Sequence, residues 1–201
     1  MKKIETIWHH LLHEALIHHT YRHTQQELAG RFQYSLSTIH HAIKTPVEIG
    51  AIRKASKFFV LADFKKLLYY WASLRSLQRD IVYKSLMEKP VLEVEGLAVP
   101  RTVFACYSAA RHHLGEAPAD YAKVYWYAAP EDLRKTQERF GDRPKTKTEA
   151  NVFILRAPGA FICDGYYTTL VHTFVDVWNL TDWYARDFCK ALEEKIDGLL
   201  S

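Results

Sequence analysis

The sequence predicts a mixed chain of the α+β or α/β kind, in two parts, and three observations predict it. The first 79 residues carry amphipathic helical periodicities that run into a short basic hairpin pattern. From residue 80 onward strand and helix patterns alternate, as a small mixed α/β domain requires. Charge divides at the same place: residues 1–79 hold +7 and eight of the 11 histidines, whereas residues 80–201 hold −3. With 48% hydrophobic and 13% aromatic residues, the 201-residue chain has enough apolar material for a core, which excludes disorder.

Taken in order, Ile4 to His19 reads as an amphipathic helix with Ile4, Ile7, Trp8, Leu11, Leu12, Ala15 and Leu16 as its buried stripe. Its other face holds His9, His10 and His13, expected as a solvated, partly protonated surface. His9 and His13 are one turn apart, yet no HExxH and no third ligand accompany them, so no metal site is read. Thr24 and Glu27 have capping-box spacing at the start of a second helix, with Leu28, Ala29 and Phe32 inward. A turn at Gln33–Tyr34 leads to Ser35, an N-cap residue for a third helix. There Leu36, Ile39, Ala42, Ile43 and Val47 form one apolar face, and Ser37, Thr38, His41 and Lys44 the opposite one. Gly50 ends that helix, and Ala51–Lys54 and Phe58–Ala62 read as two short strands around Ala55–Ser56–Lys57. Cap, turn, stripe, glycine and basic hairpin come in the order of a winged helix-turn-helix over residues 1–79.

Asp63 to about Lys89 continues as a long helical pattern through Leu67, Leu68, Trp71, Leu74 and Leu77, with a strand over Ile81–Leu86 as its alternative. The second domain then spans residues 80–201. Pro90–Glu95 reads as a strand or loop, Pro100–Leu114 as a helix begun by proline, and Ala122–Ala128 as a strand. A helix over Pro130–Phe140, an exposed loop from Gly141 to Ala150 and a buried strand over Asn151–Arg156 follow. Helices over Thr168–Leu180 and Thr181–Leu199 close the chain.

Catalytic signatures are missing. The sequence has no Gly-Ser turn with paired carboxylates, no nuclease-type Asp/Glu-x-Lys strand, no phosphate-cradling GxxxxGK[ST] and no GxSxG turn. The reading is therefore non-enzymatic, without cofactor and without metal. Asp176, inside an apolar run, is expected to be buried and paired, with Arg156 as the proposed partner. Cys106, Cys163 and Cys189 are scattered in apolar runs and read as buried free thiols; Cys106 with His112 or His113 makes only a weak catalytic pair. The N-terminus lacks a signal-peptide pattern, and no apolar run approaches the ~20 residues of a membrane span. A cytoplasmic protein without membrane contact is expected.

Two stretches carry a family resemblance. The run TLVHTFVDVWNLTDWYARDFCKALEEKI resembles the closing segment of AbiEi-type antitoxin regulators, in which T-x-x-Q-x-x-x-D-L precedes a final helix. Thr169 and Asp176 take the Thr and Asp positions, and His172 stands where that pattern has Gln. LAVPRTVFACYSAARHHLG followed by PADYAKVYWYA resembles the second domain of the same family, whose N-terminal half is likewise a winged helix. The resemblance implies a transcriptional regulator of the type IV toxin–antitoxin class that binds an inverted repeat near its own operon. It also implies antitoxin activity in residues 80–201 and a nucleotidyltransferase toxin as partner.

The expected function is sequence-specific binding of double-stranded DNA by a homodimer, since one short helix reads too few base pairs alone. Ser37, Thr38, His41 and Lys44 are expected to read or approach bases. Ser35 and Arg31 are expected to position phosphates, and Arg53, Lys54 and Lys57 to contact the backbone or minor groove. The alternative is a regulator whose α/β domain senses a small molecule or another protein without a toxin, with Tyr125, Trp126, Tyr127, Tyr166 and Tyr167 as pocket candidates.

Overall fold

Helix α1 (Lys3–His18) is the element around which the rest of the chain closes. Its stripe is buried as expected, with Ile7, Leu11, Leu12 and Ala15 fully covered. The opposite side differs from the expectation of a solvated histidine face: His9 and His10 are buried and His13 half-buried, while His18 and His19 are exposed. The physical reason is tertiary. Helices α3, α4 and α8 all pack on α1, so a face that amphipathicity alone would leave wet is covered. This computed structural model describes residues 1–140 and 150–201.

After α1 come strand β1 (Arg22–His23), helices α2 (Gln25–Phe32) and α3 (Leu36–Glu48), strands β2 (Ile52–Lys54) and β3 (Phe59–Leu61), and helix α4 (Phe64–Leu74). The three strands make an antiparallel sheet in the order β1-β3-β2. Strand β1 has no counterpart in the sequence reading, because two residues are too few to show a period. The long helix expected over residues 63–89 stops at Leu74: Arg75 is extended, a 3₁₀ turn follows, and β4 (Ile81–Ser85) is a strand.

The remaining elements are α5 (Val91–Gly96), β5 (Val103–Ala105), α6 (Cys106–Leu114), β6 (Val124–Ala128), α7 (Leu133–Phe140), β7 (Val152–Arg156), β8 (Cys163–Asp164), β9 (Tyr167–Thr168), α8 (Leu170–Trp178) and α9 (Ala185–Leu200). The fold is thus mixed α and β, with two sheets. Pro90 caps a helix where a strand or loop was read, and the helix expected from Pro100 starts only at Cys106, after a short strand. Of the exposed loop expected from Gly141 to Ala150, residues 141–149 lie outside the described residues, and Ala150 is buried.

The larger sheet runs β4-β7-β6-β5-β9-β8, with β6/β7 and β5/β9 parallel and the other pairs antiparallel. Its central strands are buried on both faces, which explains their unbroken apolar runs. Tyr125, Tyr127, Phe153 and Leu155 face one apolar cluster, which extends without interruption from Ile7 in α1 to Ile196 in α9. Val124, Trp126, Val152 and Ile154 face a smaller cluster containing Val94 of α5 and Phe140 of α7. Of the aromatic pocket candidates, Tyr125, Trp126 and Tyr127 are core, and Tyr166 is exposed.

Candidate nucleic-acid interface

Local chemistry sets up α2 and α3. The Thr24 hydroxyl accepts the Glu27 N–H at 3.1 Å, the forward half of the capping box; no return bond from Glu27 occurs among the described residues. Gln33 adopts a left-handed conformation (φ 54°), and the Tyr34 N–H donates to the Ala29 carbonyl at 3.1 Å. That closes α2 and swings the chain into α3. Ser35 Oγ then accepts the Thr38 N–H at 3.2 Å, capping α3.

One further bond fixes α3 in place. Pro46 lies inside the last turns of α3 and has no N–H for the carbonyl of Ala42, four residues earlier. The indole Nε1 of Trp8 donates to that carbonyl at 2.7 Å. A helix-breaking residue thereby becomes the point at which α3 is bonded to α1.

Ile39, Ala42 and Ile43 are fully buried, as the periodicity requires. Leu36, assigned to the same face, is instead 51% exposed, because the first turn of α3 projects beyond the packed scaffold. Ser35, Ser37, His41 and Lys44 are exposed and Thr38 is half-buried. His40, not singled out in the sequence, shares this outer surface. The Ser35 hydroxyl lies 2.9 Å from both Ser37 Oγ and Thr38 Oγ1, so these three hydroxyls form one local cluster.

Arg53, Lys54 and Lys57 are exposed on the hairpin. None of them, nor Lys44, has an ion-pair partner among the described residues. Arg31 is exposed and only 3.7 Å from the Glu14 carboxylate, a surface pair of small worth. Arg22, missed in the sequence, stacks its guanidinium over Phe58 at 3.8 Å, next to the turn of the hairpin. Between the first turn of α2 and the hairpin tip is a notch of about 160 Å³ lined by Gln25, Gln26, Lys54, Ser56 and Lys57.

A second polar constellation lies inside the protein, where α1, α4, β6 and α8 meet. Asp176 is fully buried, as expected, but its partner is Arg75 rather than Arg156, which is exposed at the end of β7. The reason is the early end of α4, which turns Arg75 inward. Arg75 Nε donates to Asp176 Oδ1 at 3.1 Å, Nη1 to Asp80 at 2.6 Å and Nη2 to the Tyr127 hydroxyl at 2.9 Å. Tyr127 donates onward to Asp176 at 2.7 Å. Glu5 accepts from Trp71 Nε1 at 3.2 Å and sits 3.6 Å from Arg75. Burial opposes the Arg75 charge, but Tyr127, Asp176, Asp80 and Glu5 together hold it protonated. Burial pushes the Asp176 carboxyl up, and Arg75 and Tyr127 act against that shift. His9 Nε2 lies 2.6 Å from Thr169 Oγ1, and His172 Nε2 lies 3.2 Å from the Tyr127 hydroxyl. Burial drives both imidazoles well below their ordinary range.

The thiols divide three ways. Cys106 is buried, and that burial, helped by Asp176, raises its thiol well above the usual range, which makes it a poor nucleophile. Cys189 is half-buried. Cys163, expected to be buried, is exposed, because its apolar run ends in the β8–β9 hairpin at the sheet edge. No helix of the described residues is long and apolar enough to cross a membrane. Comparison with family models, with curated proteins and with solved structures gives no match for this chain.

Proposed function

We propose that residues 1–79 form a winged helix-turn-helix and that the protein is a sequence-specific regulator that binds double-stranded DNA. The observation that carries this reading is the outer face of α3: Ser37, His41 and Lys44 point away from the core beside an equally free cationic hairpin. A helix of this length with small polar and basic side chains outward suits a major groove. Lys54, Lys57 and the N-terminal turn of α2 flank a notch of phosphate scale. Residues 80–201 then form the effector half. In the antitoxin reading, carried by the resemblance described above, that half acts on a nucleotidyltransferase toxin, and the regulator represses its own operon as a cytoplasmic homodimer.

The test begins with selection of bound duplexes from a random pool by the full chain. A palindromic consensus with half-sites about 34 Å apart is expected for a dimer. On that duplex, Lys44→Ala with Arg53→Ala lowers the slope of log affinity against log salt by ~2, about one per lost phosphate contact. Wild-type slope in the double variant rejects the interface.

One observation favours the sensor version of the second half. A cavity of about 570 Å³ opens at the C-terminal ends of the parallel strands β6 and β7, where open α/β sheets commonly take ligands. Arg79 and Arg156 flank it over Ile81, Val82 and Leu133, a combination suited to an organic anion. A thermal-shift screen of carboxylates and phosphate esters separates this version from the toxin-binding one.

A further inference from the structure

We propose that His112, His113 and Asp164 form a binding site for a zinc-class divalent cation. One ring nitrogen from each histidine and one carboxylate oxygen lie within 4.8 Å of one another. The two histidines end α6, and the aspartate lies in the β8–β9 hairpin at the far edge of the large sheet. This site is independent of the DNA-binding reading.

The hairpin organises all three groups. The Tyr167 ring stacks on His112 at 3.9 Å and 4°, which fixes that imidazole plane. The carbonyl of Thr168 lies 2.6 Å from His113 Nε2. A carbonyl only accepts, so Nε2 carries the proton and the neutral ring keeps its lone pair on Nδ1. A histidine whose other nitrogen donates to a carbonyl is the usual outer-shell arrangement of a metal ligand. Asp164 pairs with Tyr167 across the hairpin, so the same two short strands supply the third ligand.

The donor set selects the cation. Two imidazoles and one carboxylate, with room for water, suit zinc, cobalt or nickel better than calcium or magnesium, which prefer oxygen alone. Bonds of about 2.0–2.1 Å require the three atoms to close in from their present spacing. His112 and Asp164 are exposed, so a small shift of the Asp164 side chain and of the stacked His112–Tyr167 pair closes that gap. Other titratable groups face the cluster: Cys163 beside Asp164, Tyr167 stacked on His112, His13 of α1 toward Asp164 and Lys195 of α9 toward His113.

Titration of the chelator-treated full chain with zinc sulfate in a calorimeter tests the site. One saturable site per chain is expected, together with a rise in unfolding temperature at saturation. His113→Ala and Asp164→Asn each weaken zinc affinity by at least about tenfold, and exposed His19→Asn leaves it unchanged. Asp164→Asn is a surface change that keeps the fold, checked by circular dichroism, so its result stands even where His113→Ala misfolds. Saturable zinc binding that persists in Asp164→Asn, or none below millimolar zinc in the wild type, overturns the proposal.

Discussion

Two polar surfaces of this chain, each with an arginine, have opposite fates. On α3, Ser37, His41 and Lys44 face outward, and Lys44 with its hairpin neighbours Arg53, Lys54 and Lys57 has no counter-ion among the described residues. Where α1, α4 and α8 meet, Arg75, Tyr127 and Asp176 are buried and bonded to one another, and buried Glu5 accepts from Trp71 and faces Arg75 at 3.6 Å. An exposed cation without a partner costs almost nothing and is available to a phosphate; a buried one must be answered at every donor. Polarity alone does not separate the proposed binding groups from structural ones. Solvent exposure does.

The contrast breaks most sharply at Asp176. Asp176→Ala leaves the Arg75 guanidinium buried with part of its charge unanswered, and is expected to cost about 3–5 kcal/mol in urea denaturation. Acidification acts on the same inner surface. His9 and His172 are held well below their ordinary range, chiefly by burial, and His10 is pushed down to about 3, chiefly by burial with Arg31 and His23 adding to it. The unfolded chain takes up protons below about pH 6.5 that the folded chain refuses. This contribution to stability is complete above that pH and is lost as pH falls, by roughly 1.4 kcal/mol per unit for each such histidine. Denaturation midpoints between pH 7.5 and 5 measure it; a flat profile contradicts the buried neutral imidazoles.

Trp8→Phe removes the donor to the Ala42 carbonyl and is expected to cost about 1–3 kcal/mol. The same substitution in a chain carrying Pro46→Ala costs less, because the alanine brings a backbone N–H of its own to that carbonyl. Ser35→Ala at the α3 cap costs about 1 kcal/mol. Smallest of all, Lys44→Ala changes stability by less than about 0.5 kcal/mol. Under the proposed DNA-binding reading its effect is expected in DNA affinity instead, and a stability loss as large as that of Asp176→Ala would place Lys44 with the inner surface.

The parts legible in the sequence are those written over three or four residues. Thr24 and Ser35 announce their caps, Gln33–Tyr34 the turn, and Ile39, Ala42 and Ile43 the buried stripe, because donor, acceptor and neighbour are all local. Asp176 is recognisable as buried from its apolar flanks. Its partner is not, since Arg75 lies far back in the chain and only the turn after Leu74 brings it inward. That turn is itself masked: Leu77 continues the helical spacing, although it is buried from within a 3₁₀ turn. The histidines of α1 mislead for a related reason. Their face is decided by distant partners, Trp71 and His172 against His9, and His23 and Phe32 against His10, which no local pattern in α1 can announce.

The proline in α3 has a mechanical consequence. Because the carbonyl it orphans is bonded by Trp8, the pitch of the outward-facing helix is tied to α1, whose flank is tied in turn to α8 through His9 and Thr169. A push on the C-terminal half therefore has a stiff route, two hydrogen bonds and one rigid rod long, to the side chains that face solvent at the other end.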